Sequence, residues 1–197
     1  MNLSRSFLAA SLVAVAGFST LPVSSAHAAD LGGNAVAGVC MLSREAVFAQ
    51  SKVGQAASQR LGQLAEQART QLENQRKPLD TDLKSFQQKA QSLSDADRKQ
   101  QGEALQQRVQ TFRGQAGELD QRIQLTRSKA MQRIGQEAEP IVADVYKSHN
   151  CGLLLDRDSV LGGNMTNDLT PGVVQGLDRK ITTISFNLEP LPANAGK

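Results

Sequence analysis

Apolar residues recur in steps of three and four from residue 47 to residue 145, broken once at Ser94-Asp95-Ala96-Asp97. Before the break run Val53, Ala57, Leu61, Leu64, Ala68, Leu72, Leu79, Leu83, Phe86, Ala90 and Leu93. After it run Leu105, Val109, Phe112, Ala116, Leu119, Ile123, Ala130, Ile134, Ala138, Ile141 and Val145. Threes and fours in alternation describe the seam of a coiled coil, one apolar stripe along an otherwise polar helix. Two helices of about 50 residues are predicted, each about 75 Å long at 1.5 Å of rise per residue. Ser94 predicts a helix start, with the acid Asp97 three positions later completing a short form of the capping box. Because caps mark starts, the chain is predicted to fold back here rather than continue as a single rod.

Short segments flank this hairpin. Val36-Ala37-Gly38-Val39-Cys40-Met41-Leu42 predicts a strand, and Ser43 caps the helix after it, with Glu45 near the positive helix end. Ser148-His149-Asn150 breaks the helical pattern, Cys151 to Asp156 predicts a second strand, and Asp158 to Asn164 a turn. Thr170 predicts an N-cap, with Pro171 in the first helical position of a short helix through about Ile181. Ile184-Ser185-Phe186 reads as a further short strand or a docking peptide. The fold class expected is α+β: a hairpin arm over 43–149 on a small β/α body made from 36–42 and 150–186. A glycine-rich flexible lead-in over 29–35 and a loose tail over 187–197 complete the chain.

The two cysteines, Cys40 and Cys151, lie 55 residues to either side of the turn at Asp95 and Ala96. A chain that folds back there brings both to the same height at the base. In an exported chain two cysteines suggest one disulfide; two buried thiols acting as small hydrophobes are the alternative. A bond would close a loop of about 100 residues, for which chain entropy gives an upper figure of about 4–5 kcal/mol.

Three features of the helices bear on flexibility and surface. Pro78 and Pro140 fall inside the periodic stretches, where each removes a backbone bond and is expected to kink its helix. Gly102, Gly114 and Gly117 loosen the second helix at about 1 kcal/mol each relative to Ala. Gln55, Gln59, Gln63, Gln67, Gln71 and Gln75 fall on one face. That row is a solvated face or, functionally, an uncharged hydrogen-bonding wall that accepts many guests.

The N-terminus changes the compartment. Arg5, the apolar and small-residue run Ser6 to Leu21, and Ala26-His27-Ala28 form a secretory signal over 1–28 with cleavage after Ala28, which implies an exported protein. The run is short and too diluted by small residues for a membrane anchor. The formal charge of +3 falls by one with Arg5. So mild a basicity is not that of a nucleic-acid binder. With no Trp, one Tyr and six Phe, a single bulky core is excluded, and burial must spread along narrow seams.

Catalytic chemistry finds no residues to carry it. His27 leaves with the signal, so His149 is the one histidine of the mature chain, and a catalytic triad needs several partners. There is no phosphate-cradling GxxxxGK[ST] and hence no sign of ATP use. Asp156-Arg157-Asp158 sets two carboxylates together, but Val160 and Leu161 stand where a calcium loop needs oxygen ligands. No catalytic, cofactor or metal site is expected, and an enzyme is the weakest reading. Residues 44–149 hold 17 Lys/Arg against 13 Asp/Glu, a surplus of four. A mildly positive arm suits acidic unfolded chains or an anionic membrane surface; ordinary solvation of a long helix explains it as well.

The layout resembles the Skp/OmpH family of periplasmic chaperones. The resemblance rests on the signal, on Val36 to Leu42 with the helix entry Ser43-Arg44-Glu45-Ala46-Val47-Phe48, on the long polar hairpin, and on Cys151-Gly152-Leu153-Leu154-Leu155-Asp156 with Asp168-Leu169-Thr170. It implies a homotrimer in which short strands from three chains share a β-rich body and three arms enclose a cavity. It implies an ATP-independent holdase for unfolded outer-membrane proteins, with no cofactor; which residues bind the client is unknown from the sequence. A single chain with a few short strands leaves edges unsatisfied, which also favours association. The competing function is a structural coiled-coil adaptor or tether of the cell envelope.

Overall fold

The computed structural model describes residues 29–192, so the expected signal over 1–28 and residues 193–197 lie outside it. The elements in order are β1 (Ala29–Asp30), β2 (Val39–Leu42), α1 (Arg44–Gln50), α2 (Lys52–Lys89), α3 (Asp95–Ser148), β3 (Leu153–Asp156), β4 (Gly162–Gly163) and α4 (Thr170–Lys180), with single 3-10 turns at Arg157–Ser159 and Met165–Asn167.

The sheet part is small and parallel. β2 pairs with β3 in the register Val39 to Leu153 through Leu42 to Asp156, and the whole of α1, α2 and α3 is the connection between them. A bridge between Met41 and Asp168 flanks β2 on its other side. The strand expected from Val36 starts at Val39. Gly38 has φ +75, a left-handed conformation that ends an extended run, and its carbonyl accepts from the N–H groups of Gly152 (2.7 Å) and Leu153 (2.9 Å). The second strand likewise begins at Leu153 rather than Cys151. α3 ends just before it in a Schellman motif. Asn150 has φ 52, and the N–H groups of Cys151 and Asn150 donate to the carbonyls of Tyr146 and Lys147. Where a loose lead-in was expected, Ala29–Asp30 pairs in parallel with Gly162–Gly163.

The helical part departs from one continuous first helix. Ser51 is extended (ψ 147) and serves as the C-cap of α1 and the N-cap of α2. Its N–H donates to Val47, and its buried hydroxyl accepts from the N–H of Gly54 at 3.2 Å. At the far end the chain turns between Lys89 and Asp95. The Ser94 hydroxyl accepts from the N–H of Asp97 at 3.1 Å and donates to its carboxylate at 2.6 Å, so the turn is closed by its cap. α2 and α3 pass unbroken through Pro78 and Pro140, both exposed. A proline on the solvent side loses its backbone bond without ending the helix, since packing on the opposite face holds the flanking turns.

Thr170 does not cap α4. Leu169 holds that position, the Asp168 carboxylate accepts from the Thr170 N–H (2.9 Å), and the Thr170 hydroxyl accepts instead from the buried N–H of Ser43 (3.0 Å). The core gathers where these pieces meet: Cys40 and Leu42 from β2, Val47, Val53 and Ala57 from α1 and α2, Ala130, Ile134 and Ala138 from α3, Leu169, Val173 and Leu177 around α4, and Ile184 beyond it. Away from this body, burial thins to single positions of the seam such as Leu64, Ala68, Leu79, Leu105 and Leu119.

Candidate functional site

The long helices expose an apolar seam that is only partly closed. Every apolar seam position named above is buried or half-buried, and Thr126 (1% exposed) fills the seven-residue gap between Ile123 and Ala130. A threonine is tolerated there because its hydroxyl donates to the carbonyl of Arg122 at 2.6 Å. α2 and α3 meet along the pair: Phe86 covers Gly102, with the ring 3.5 Å from where a Cβ would stand, and Arg108 pairs with Asp82 at 2.7 Å. No side chain approaches within 4 Å of a Cβ built on Gly114 or Gly117, so the loss of helix propensity expected there is not offset by packing. All six glutamines of the Gln55 to Gln75 row are exposed.

Between the helices lies an open groove of about 560 Å³. Its floor is Ala68, Leu72, Phe112, Ala116, Leu119 and Ile123, and its rim carries Arg69, Glu73, Arg76 and Asp120. An apolar floor with a charged rim of both signs can hold an extended chain through its side chains without demanding a sequence.

Nearer the body the same pair of helices is already occupied, by residues 184–191 of the chain itself. Arg60 donates to the carbonyl of Phe186 (3.2 Å) and to the Asn187 side chain (2.9 Å). Arg122 donates to the carbonyls of Glu189 (3.0 Å) and Leu188 (3.4 Å). The N–H of Glu189 donates to the Thr126 hydroxyl at 2.9 Å, and Lys129 pairs with its carboxylate at 3.0 Å. Ile184 is buried, Phe186, Leu188 and Leu191 are half-buried, and Ser185, Asn187 and Pro190 face solvent. A loose tail was expected from residue 187; a docked one is found through at least Leu191. Of the two readings of Ile184-Ser185-Phe186, the docking peptide is the one whose contacts are present, since these residues belong to no strand. A second cavity, of about 460 Å³, remains between this segment and the Thr126 to Glu137 face of α3.

At the base Cys40 and Cys151 are bonded, with Cα atoms 5.8 Å apart. His149 is the exposed C-cap of α3 with no catalytic neighbour among the hydrogen bonds of the described residues. Asp156, Arg157 and Asp158 serve the body instead. Arg157 pairs with Asp168 at 2.7 Å, Asp158 accepts from the Ser43 hydroxyl at 2.8 Å, and Asp156 pairs with Arg44 at 3.4 Å. Among the described residues no group of three or more His, Cys, Asp or Glu is placed to hold a metal ion, and no helix is long and apolar enough to cross a membrane. The contacts of Arg60, Arg122 and Thr126 with the tail were missed from sequence; the one signal was an apolar/polar alternation over 184–188 after the last helix.

The family described as outer membrane protein (OmpH-like) matches residues 38–177, from the turn before β2 to the buried Leu177 of α4. A candidate outer membrane chaperone (OmpH-like) from Caulobacter crescentus CB15, known from its crystal structure, is 30% identical, with a TM-score of 0.73 over 87% of this chain and 98% of that one. No curated protein matches.

Proposed function

The chain belongs to the OmpH-like outer membrane protein family, and from that membership we propose that it is a periplasmic chaperone, an ATP-independent holdase that keeps unfolded outer-membrane proteins from aggregating. The observation that carries this reading is the open apolar groove along α2 and α3, floored by Leu72, Phe112 and Leu119 and standing clear of the body core. A holdase needs many weak, sequence-tolerant contacts rather than one deep pocket, and a seam half closed over tens of ångströms supplies them. The six exposed glutamines of α2 offer uncharged hydrogen-bonding groups along the arm. The arm's surplus of four positive charges favours acidic unfolded segments and anionic membrane surfaces.

In this reading α2 and α3 form an antiparallel coiled-coil arm, and the body trimerises so that three arms surround the client. Leu31, Val36, Leu153 and Leu161 support it: they are exposed large apolar side chains of the body, while the arm exposes only Met131 among those of the described residues. Large apolar side chains exposed on and beside two small sheets are surface awaiting a partner.

The test is dilution of a urea-unfolded outer-membrane protein into buffer with the purified mature chain. Light scattering should fall as the chaperone approaches the client in amount. Undiminished scattering together with tight binding to one folded envelope protein would replace the holdase with a tether.

A further inference from the structure

We infer that the face of α2 and α3 from Glu137 up to Phe112 is a continuous track for an extended, alternating β-type segment, and that the chain's own tail is a resident competitor occupying its lower half. This rests on the holdase reading and adds to it the place and the form in which a client is gripped. The tail shows what the track accepts. It lies without helix or strand partners, held mainly through its backbone: Arg60 and Arg122 donate to three carbonyls, and Thr126 accepts from one N–H. Donors aimed at carbonyls read a backbone and not a sequence, so any extended chain offers them the same acceptors.

Its burial alternates from 184 to 188, with Ile184, Phe186 and Leu188 buried or half-buried and Ser185 and Asn187 exposed, the Asn187 side chain accepting from Arg60 at the edge. That period of two is the signature of strands in outer-membrane barrels, which place apolar and polar residues on opposite faces. An unfolded barrel strand therefore presents the pattern that the tail presents. The direction also fits. The tail climbs from the side of Glu137 past Thr126 to Arg122, and the open groove floored by Ile123, Leu119, Ala116 and Phe112 adjoins that contact with Arg122. None of the residues that follow, Ala193 to Lys197, is a large apolar one. The tail also lies outside the family match, which ends at residue 177.

The experiment uses a fluorescent synthetic peptide of residues 185–192 and a scrambled control with its apolar residues in one block, read by anisotropy. The hosts are the mature chain and a chain ending after Ile184, which keeps that buried residue and vacates the track above it. A tethered segment acts at about millimolar effective concentration, so the shortened chain should bind the alternating peptide about ten-fold or more tighter than the full one. Arg122→Ala in the shortened chain should abolish that gain, and the scrambled peptide should bind weakly. Glu189→Lys in the full chain, which sets like charges against Lys129, should raise peptide binding in the same direction without removing any residue. Equal binding by both chains, binding indifferent to Arg122→Ala, or equal binding of the scrambled peptide would overturn the inference. The aggregation assay run on the same proteins separates the two readings: full suppression by a chain that fails the peptide test leaves the holdase standing and removes the track.

Discussion

A Cβ on Gly54 would collide with the carbonyl oxygen of Phe48. The break at Ser51 folds α1 back onto the first turn of α2, and only a residue without a side chain fits at the crossing. Gly54→Ala should therefore cost about 2–3 kcal/mol, the range for forcing a methyl into filled space, with backbone rather than a flexible side chain as the obstacle. Gly114→Ala, with nothing within 4 Å, should instead stabilise by about 0.5–1 kcal/mol through helix propensity. Urea unfolding of the two variants should shift in opposite directions. A neutral Gly54→Ala would mean that the α1–α2 junction is not packed this way.

The contrast between these glycines shows what a sequence displays. Helix existence and the turn at Ser94 were legible, because both rest on local rules: a seam repeated over dozens of residues and a cap bonded within three. The break at Ser51 was not. Ala46, Val53 and Ala57, all buried, keep helical steps of seven and four across it, and the cause is tertiary: Asp178 accepts from the N–H of Lys52 at 2.7 Å from 126 residues away. Strand starts moved by two or three residues because Gly38 and Asn150 take left-handed conformations that composition alone does not fix. The docking of 184–191 was readable only as one of two options. Its partners Arg60 and Arg122 lie more than sixty residues earlier and look like ordinary solvated arginines of a helix.

Thr170 carries the joint between the two ends of the body, through the acceptor it gives to the buried N–H of Ser43. Thr170→Val keeps the shape and removes the oxygen. A buried donor left without a partner costs about 1–3 kcal/mol. Thr170→Ser restores the hydroxyl and should recover most of that loss. Chemical denaturation of the three proteins gives the order wild type, Ser, Val; a Val variant as stable as wild type would show that water or another group reaches Ser43.

The Cys40–Cys151 bond joins residues 111 apart and encloses both long helices. Its chief effect is on the unfolded chain, which loses the freedom of a loop of that length, an entropy equivalent to about 4–5 kcal/mol as an upper figure. Reductant, or the paired substitution Cys40→Ala with Cys151→Ala, should lower the urea midpoint strongly. The assembly should keep its subunit number, because the bond lies within one chain. A reduction-sensitive mass on a denaturing gel would point to bonds between chains and contradict the pairing.

Leu161 is 98% exposed and Leu153 51%, both on the small body. β3, which contains Leu153, pairs only with β2 among the described strands, so one edge of it is open. Open strand edges flanked by apolar side chains join other chains or aggregate unless they are covered. Three copies closing on one another would cover Leu153 and leave the arms free. The mature chain should therefore weigh three subunits by native mass measurement. Leu153→Glu and Leu161→Glu, which place charges in the joint, should lower it to one subunit at micromolar concentration. Met131→Glu, equally apolar to charged but on the arm and 44% exposed, should leave the mass unchanged. If Met131→Glu dissociates the assembly and the two body variants do not, subunits meet through their arms. The space between those arms would then be filled by protein rather than open to a client.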